Sequence, residues 1–189
     1  MYKEKDGLKR PVKADGTPLE IERKYLIEYP DMNWVENYPG MEKAELTQIY
    51  YSTETDKRNR VRCWKTADKE QYFLTKKQRI TGMVHIEVES EITKEEFENL
   101  PKEAAGPKKI ISKVRYCLPY GRHTLELDIY PFWDDKATVE VELESENEEV
   151  TLPPEIKVIK EVTEDCSYTS FSLAQEFTEF SNLLPGSIV

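Results

Sequence analysis

The sequence predicts a mainly antiparallel β fold with a few flanking helices, in which about eight strands close into a barrel. Three observations favour this fold. Strand-like runs with alternating polar and apolar residues dominate from residue 19 to residue 145. Short turn-like pieces such as Thr81-Gly82 separate several of these runs, which indicates antiparallel neighbours. The charged residues on one face are sorted by sign from strand to strand, which favours an enclosed interior over an open sheet.

Eight strands and three helices are expected. The strands are predicted over residues 19–27, 46–53, 58–66, 70–77, 84–92, 109–118, 122–130 and 136–145. Thr93-Lys94-Glu95-Glu96 is a capping-box pattern, so a short helix is expected to begin there and to end near Leu100. Another helix is expected over residues 168–180, and a shorter one over residues 31–37.

One domain is expected, because 189 residues are enough to bury a single core. We expect it to cover residues 19–182. Residues 1–18 mix basic side chains with turn-forming Gly and Pro, so they are expected to form a poorly ordered N-terminal arm. Residues 183–189 are expected to form a short C-terminal tail.

The composition excludes several classes of protein. A net charge of −10 argues against nonspecific binding to nucleic acid polymers or to anionic membranes. No apolar run approaches the roughly 20 residues that cross a bilayer, and no signal-peptide pattern is present. The three cysteines are far apart, which indicates reduced thiols in a cytoplasmic protein. The sequence leaves the oligomeric state open, a homodimer included.

The segment Glu20-Ile21-Glu22-Arg23-Lys24 lies in a strand-like run that ends at Ile27. Alternate residues of a strand point to the same side, so Glu20, Glu22 and Lys24 share one face. Two neighbouring carboxylates repel each other unless a cation lies between them. The pattern therefore favours a divalent metal ion, with Lys24 beside it as a ligand for phosphate.

Charged residues alternate in the same way along the other strands. The basic ones are Arg60, Arg62, Lys77, Lys113 and Arg115, and the acidic ones are Glu87, Glu89, Glu126, Asp128, Glu140 and Glu142. For any single strand, the ordinary explanation is a half-buried sheet with its polar face in water. The sorting of signs argues against that explanation, because like charges that face each other destabilise an open sheet.

An enclosed interior of this kind suits a small anionic ligand. A barrel of about eight strands can hold one small molecule. Its acidic walls would suit Mg²⁺ or Mn²⁺, and its basic walls would suit phosphate groups. The chain has no glycine-rich GxxxxGK[ST] phosphate loop, so a P-loop enzyme is excluded. His85 and His123 are far apart in sequence, and each is expected to be a surface or packing residue.

Taken in order, these segments resemble the CYTH family, also called triphosphate tunnel metalloenzymes. Glu20–Ile27 is similar to the ExExK strand of that family. The resemblance continues in order from Gln48-Ile49-Tyr50 and Arg60-Val61-Arg62 to Leu173-Ala174, and it covers residues 19–175. It implies an eight-stranded antiparallel tunnel that binds a triphosphate together with Mg²⁺ or Mn²⁺.

The resemblance also implies roles for individual residues. The metal ligands would be Glu20, Glu22, Asp128, Glu140 and Glu142. The phosphate ligands would be Lys24, Arg60, Arg62, Lys77 and Arg115. Lys113 and Tyr50 would activate the attacking water, although Tyr50 is equally compatible with a plain wall aromatic. Further acidic wall residues would be Glu87, Glu89 and Glu126.

Two positions depart from the family pattern. His85 stands where the family often has an arginine, two residues before the acidic pair of the fifth strand. Cys166-Ser167-Tyr168-Thr169-Ser170 stands where the family often reads Arg-Tyr-x-Asn. Contacts of Cys166, Ser167 and Ser170 with a substrate are therefore an open question.

The expected activity is metal-dependent hydrolysis of a small-molecule triphosphate, most simply inorganic tripolyphosphate. Two other enzymatic activities remain open, namely class IV adenylate cyclase and thiamine triphosphatase. The non-enzymatic alternative is a module that binds polyphosphate or a nucleotide without turnover.

Overall fold

The computed structural model describes residues 11–52, 59–104 and 107–181, the last three of these by their backbone only. The described strands are β1 Leu19–Glu28, β2 Glu42–Tyr51, β3 Asn59–Lys65, β4 Glu70–Arg79, β5 Val84–Ile92, β6 Lys109–Tyr120, β7 His123–Ile129, β8 Lys136–Leu143 and β9 Val158–Glu161. The described α-helices are α1 Met32–Glu36, α2 Lys94–Glu103 and α3 Ser170–Ser181, and a 3₁₀ turn covers Cys166–Tyr168. Residues 1–10 of the expected arm and the expected tail lie outside the described residues.

The strands form one antiparallel sheet that closes on itself. Its order is β5-β4-β3-β2-β6-β7-β8-β1-β9, and β5 also pairs with β1. One edge of β1 pairs with β8. On the other edge, Glu20 lies opposite His85 of β5, whereas Tyr25 lies opposite Glu161 of β9. Strands β1–β8 therefore form the predicted eight-stranded barrel, and β9 is an additional short strand beside it.

The alternation in the sequence separates an apolar outer face from a charged inner face. On one side of the barrel, Val35 of α1 and Ile156 pack in an apolar cluster with Val139 and Val141. On another side, α2 places Phe97 in a cluster with Tyr72 and other outward-facing side chains of β2–β4. The helices and loops thus cover the apolar outside, as the sequence predicts.

Two apolar clusters bound the charged interior. At one end of β2, β3, β4 and β6, inner-face residues pack together, namely Ala44, Leu46, Trp64, Phe73 and Cys117. A second cluster joins α3 to the barrel wall, where Leu173 and Ala174 pack with Ile111 and Tyr130. The capping box at the start of α2 is confirmed, since Thr93 and Glu96 form both reciprocal hydrogen bonds.

The described part of the expected arm forms a turn before β1. The Leu19 N–H donates to the Pro11 carbonyl at 2.8 Å, and Val12 forms an isolated bridge with Pro18. The three cysteines form no disulfide. None of the described helices combines the length and the apolar character that crossing a bilayer requires.

Candidate active site in the barrel interior

The barrel encloses a cavity of about 510 Å³, and all of the predicted charged site residues except Asp128 line it. Its acidic lining includes Glu20, Glu22, Glu87, Glu89, Glu126, Glu140 and Glu142. Its basic lining includes Lys24, Arg60, Arg62, Lys77, Lys113 and Arg115. Because paired strands bring inner-face residues opposite one another, positions far apart in sequence meet in this single space.

On one wall, a single ammonium group contacts three carboxylates. Lys77 Nζ lies 3.0 Å from Glu22 Oε1 and 3.5 Å from Glu87 Oε2, and it also contacts Glu20. Burial, together with the charge of Glu87, raises the pKa of Glu20 well above its usual range. Lys77 alone does not offset three carboxylates, and the protonated form of Glu20 is therefore favoured while no other cation is bound.

The same wall continues as a chain of hydrogen bonds from β3 to β5. Arg62 Nη2 donates to Glu89 Oε1 at 2.6 Å. The Thr75 hydroxyl donates to the same oxygen at 2.7 Å and accepts a hydrogen bond from Arg60 Nη2 at 3.2 Å. These contacts fix both guanidinium groups at the cavity wall.

The opposite wall centres on Arg115. Its Nε and Nη2 donate to the two oxygens of Asp128, each at 2.7 Å, and Nη2 also donates to Glu140 at 2.7 Å. Arg115 contacts Glu126 as well. Burial raises the pKa of Glu126 to about 7; Arg115 opposes this shift, whereas Glu142 and Glu140 reinforce it.

Asp128 lies behind this wall rather than in it. Its side chain is fully buried, it accepts hydrogen bonds from Arg115 and Lys113, and it does not line the cavity. The metal-ligand role predicted for Asp128 remains a prediction. What the structure shows is a carboxylate that holds two cations in place.

Lys24, which shares the inner face of β1 with Glu20 and Glu22, forms an ion pair with Glu140. Its Nζ lies 2.8 Å from Glu140 Oε1. Burial opposes the charged form of both groups, but their mutual attraction prevails. The pKa of Lys24 is consequently raised, and Lys24, Lys113 and Arg115 together hold the pKa of Glu140 well below its usual range.

Lys113 differs from the other buried cations. Its side chain is only 1% exposed and contacts Asp128. Burial and the neighbouring Arg115 lower its pKa to about 8, against the opposing effect of Asp128. A lysine in this condition has an appreciable neutral fraction near pH 8, as a general base requires.

Tyr50 lines the same cavity at a different level. It lies opposite Lys109 in the β2–β6 pairing, whereas Lys113 lies opposite Leu46. Four residues along a strand correspond to about 13 Å, so the two side chains approach the cavity from separate levels. The Tyr50 hydroxyl donates to Gln48 at 3.3 Å, and its ring packs edge-on against Phe171.

The side chains of Glu20, Glu22 and His85 lie close together and form one cluster. One candidate ligand atom from each of the three lies within 4.8 Å of the others, and these atoms could hold a metal ion. Glu142 lines the cavity directly opposite Glu22 in the β1–β8 pairing. His85 was expected to be a surface or packing residue, but it lines the cavity. Its spacing of two from Glu87 places both residues on the same inner face of β5.

Residues 162–175 close one side of the cavity. The Lys24 N–H donates to Thr163 Oγ1 at 3.0 Å, and Arg79 Nη2 lies 3.2 Å from Glu164 Oε2. Substrate contacts of Cys166, Ser167 and Ser170 were left open by the sequence, and of these three residues Cys166 and Ser170 line the cavity. The hydroxyl of Ser167 instead donates to Asp165 Oδ1 at 2.6 Å, so it stabilises the local turn.

The architecture matches solved structures. The inorganic triphosphatase NE1496 superimposes with a TM-score of 0.51 at 30% sequence identity, over 82% of this chain and 93% of that one. A protein from Pyrococcus furiosus, Pfu-838710-001, gives a TM-score of 0.51 at 23% identity, over 68% of this chain and 80% of that one. The PH1819 protein from Pyrococcus horikoshii OT3 gives 0.51 at 18% identity, over the same shares. These last two matches show the fold alone.

A comparison with curated proteins gives no match. The sequence model of the CYTH domain, in contrast, matches residues 18–177, which span the barrel and most of α3. Together with the closed barrel and its charged interior, this match shows that the chain belongs to the CYTH family.

Proposed function

We propose that the protein hydrolyses a small-molecule triphosphate, most simply inorganic tripolyphosphate, with the help of Mg²⁺ or Mn²⁺. One observation carries this proposal: five basic side chains, a set of carboxylates and the buried Lys113, whose pKa is lowered to about 8, line one cavity. The likeness to the inorganic triphosphatase NE1496 supports it. Turnover, rather than binding alone, is favoured because the cavity contains a candidate base.

The donors present fit a divalent cation. Glu20 and Glu22 offer carboxylate oxygens within 4.8 Å of each other on the wall that Lys77 alone does not neutralise. Glu140 and Glu142 are further candidate ligands from the facing strand. When bound, the cation would neutralise charge on the phosphoryl oxygens that bridge to it. Asp128 is proposed to position Arg115 and Lys113, because both of its oxygens accept hydrogen bonds from them.

The basic side chains would bind the phosphates and orient the terminal one. Carboxylates hold Arg62 and Arg115 through hydrogen bonds, the Thr75 hydroxyl holds Arg60, and all three present guanidinium groups to the cavity. Neutral Lys113 would take a proton from a water molecule whose oxygen attacks the terminal phosphorus. The bond between that phosphorus and the bridging oxygen breaks, and pyrophosphate leaves with its charge balanced by the arginines. Tyr50 enters the cavity at a different level from Lys113, so it is proposed to orient the phosphate chain rather than the water beside Lys113.

Phosphate release tests this proposal. Wild-type protein with tripolyphosphate should release phosphate only when Mg²⁺ or Mn²⁺ is present. The Lys113→Ala and Glu22→Gln variants should lose most of this activity, by roughly 10²- to 10⁴-fold for the base. Lys43→Ala and Glu45→Gln are matched controls, because both side chains are about half exposed and lie outside the cavity. Full activity in Lys113→Ala and Glu22→Gln would remove the proposed site.

An organic triphosphate is a second candidate substrate. A cavity of about 510 Å³ falls within the range of roughly 300–1,000 Å³ that holds drug-sized ligands. Tyr50, Tyr168 and Phe171 line it, and the rings of Tyr50 and Phe171 lie 5.4 Å apart. These aromatic rings would offer a base or a thiazolium ring an apolar contact.

A substrate comparison separates the two candidates. Tripolyphosphate, ATP and thiamine triphosphate should each be assayed for orthophosphate, pyrophosphate and cyclic AMP. Phe171→Ala should raise KM for an organic substrate and leave KM for tripolyphosphate unchanged. Pyrophosphate with cyclic AMP from ATP would instead show a cyclase.

A further inference from the structure

His85 lies next to Glu20 and Glu22, the two carboxylates near the start of β1. It faces Glu20 across the β1–β5 pairing, and its Nδ1 lies 3.7 Å from Glu22 Oε1. That distance is too long for a hydrogen bond. The side chain is 12% exposed, and Nδ1 is buried with no hydrogen-bond partner among the described residues. A buried polar atom without a partner in a closely packed site requires an explanation.

The neighbouring groups show that this part of the wall can accept a cation. Glu20, Glu22 and Glu87 all contact the one ammonium group of Lys77. Lys77 is 29% exposed and flexible, so it can turn toward a phosphate when another cation binds the carboxylates. A divalent ion at this point could take one ligand atom from each of Glu20, Glu22 and His85, since these atoms lie within 4.8 Å of one another.

The structure assigns His85 as a third protein ligand of the divalent cation, so that the site is a two-carboxylate, one-imidazole site selective for Mn²⁺ over Mg²⁺. This assignment rests on the proposed function for its metal and deepens it. Mg²⁺ prefers oxygen ligands, whereas Mn²⁺ accepts imidazole nitrogen as well as carboxylate oxygen. An imidazole ligand therefore raises the preference for Mn²⁺ over Mg²⁺ above that of a site made only of carboxylates.

Direct binding of metal to the protein without substrate tests the assignment. Mn²⁺ and Mg²⁺ should be titrated calorimetrically into wild-type protein, His85→Gln and His123→Gln. His123 is the matched control, because it is the other histidine of the chain and contacts Glu148 on the outer face. We expect His85→Gln to weaken Mn²⁺ binding by about 10- to 100-fold and to leave Mg²⁺ binding nearly unchanged. His123→Gln should bind both metals as the wild type does.

Pulsed electron paramagnetic resonance of bound Mn²⁺ supplies a second readout. A directly bound imidazole couples its nitrogen to the manganese, so the wild type and His123→Gln should show ¹⁴N modulation. His85→Gln should still bind Mn²⁺ when the Mn²⁺ concentration is raised, but its bound Mn²⁺ should show no ¹⁴N modulation. Thermal melting of each variant checks that it is folded, and His85→Asn serves as the substitute if His85→Gln is not.

The outcomes distinguish this assignment from the proposed function. Wild-type protein without ¹⁴N modulation, or His85→Gln with unchanged Mn²⁺ affinity, overturns the role of His85 even if phosphate release depends on metal. Conversely, ¹⁴N modulation that disappears in His85→Gln supports the ligand assignment even if no triphosphate is hydrolysed.

Discussion

Arg115 and Asp128 face each other across β6 and β7 and form two parallel hydrogen bonds of 2.7 Å each. This bidentate pair is fully enclosed, and Lys113 contacts the same carboxylate. One buried aspartate thus sets the positions of an arginine and a lysine that line the cavity. The relationship gives Asp128 a structural importance that its position in the family pattern does not reveal.

Removing the charge of Asp128 is expected to destabilise the protein strongly. Asp128→Asn keeps the shape of the side chain but leaves Arg115 and Lys113 without their shared counter-ion. Breaking a buried ion pair in this way costs about 3–5 kcal/mol. Urea denaturation should show a decrease of this size in the free energy of unfolding.

The control for this prediction is an exposed pair. Glu45 and Lys65 lie 3.7 Å apart and are each about half exposed, so Glu45→Gln should change the free energy of unfolding by less than about 1 kcal/mol. Equal decreases in the free energy of unfolding for Asp128→Asn and Glu45→Gln would contradict the role of Asp128 as the buried counter-ion of Arg115 and Lys113.

The pH dependence of activity is predicted from Lys113. The base must be neutral, and burial together with Arg115 lowers the pKa of Lys113 to about 8. Since the neutral fraction grows as the pH rises through this pKa, kcat/KM should increase up to about pH 8 and level off above it. Initial rates of phosphate release between pH 6 and pH 10 measure this profile.

Lys113→Arg separates a base from a positive charge at this position. An arginine stays protonated throughout the range and cannot accept the proton, so the variant should be nearly inactive at every pH. If Lys113→Arg keeps the wild-type rates, or if the wild-type profile is flat from pH 6 to pH 9, Lys113 does not act as the base.

Binding of metal and triphosphate together should stabilise the fold. A ligand that binds only the native state at a hundred times its Kd adds about 2.7 kcal/mol. For a domain of this size, that corresponds to a rise in Tm of roughly 5–10 °C. Differential scanning calorimetry with tripolyphosphate and Mn²⁺ should show this rise in the wild type and in Glu45→Gln.

In Glu22→Gln the same rise should be much smaller, because a proposed metal ligand is lost. An open sheet with a solvated charged face would give no metal-dependent change in any of the three proteins. A rise of equal size in Glu22→Gln and in the wild type would place the bound ligand elsewhere.

The three thiols should differ sharply in reactivity. Cys166 is exposed and lies at the cavity wall, whereas Cys63 and Cys117 are buried. Burial, reinforced by Glu70, raises the pKa of Cys63 to about 12, so its thiol stays protonated and unreactive at neutral pH. A colorimetric thiol assay on folded protein should therefore report one fast thiol, which Cys166→Ser removes.

Repeating the thiol assay with bound ligand tests whether the ligand lies beside Cys166. Tripolyphosphate with Mn²⁺ should slow the labelling of Cys166, since that residue lines the cavity. Labelling at the same rate with and without these ligands would show that they do not bind beside the segment of residues 162–175.

Alternation in the sequence predicted the strands and their inner face, and the sorting of charges from strand to strand predicted that the sheet closes into a barrel. Paired positions such as Arg60 and Thr75, or Lys24 and Glu140, share the inner face because every second residue of a strand does. Strand β9 could not be predicted in this way, since Val158–Glu161 is short, exposed and without alternation. Its place beside β1 depends on the closure of the barrel, which is a long-range property.

The candidate site was predictable as a set of residues but not as a set of contacts. Sequence alone could not show that Asp128 lies behind Arg115, because depth within a wall depends on which side chains pack in front. Nor did it place His85 beside Glu20, since that neighbour comes from the pairing of two distant strands. The family resemblance drew attention to Cys166, Ser167 and Ser170 but left their contacts open, because a turn and a helix carry no inner-face alternation from which to tell that Cys166 and Ser170 line the cavity.

The most direct test of the central claim is a time course of tripolyphosphate with Mn²⁺, in which each sample is analysed by ³¹P NMR after a chelating resin has removed the paramagnetic metal. Wild-type protein should convert tripolyphosphate into orthophosphate and pyrophosphate in equal amounts, and Lys113→Ala should not. Tripolyphosphate resonances that stay unchanged with wild-type protein, or that disappear equally fast with Lys113→Ala, would contradict hydrolysis in this cavity.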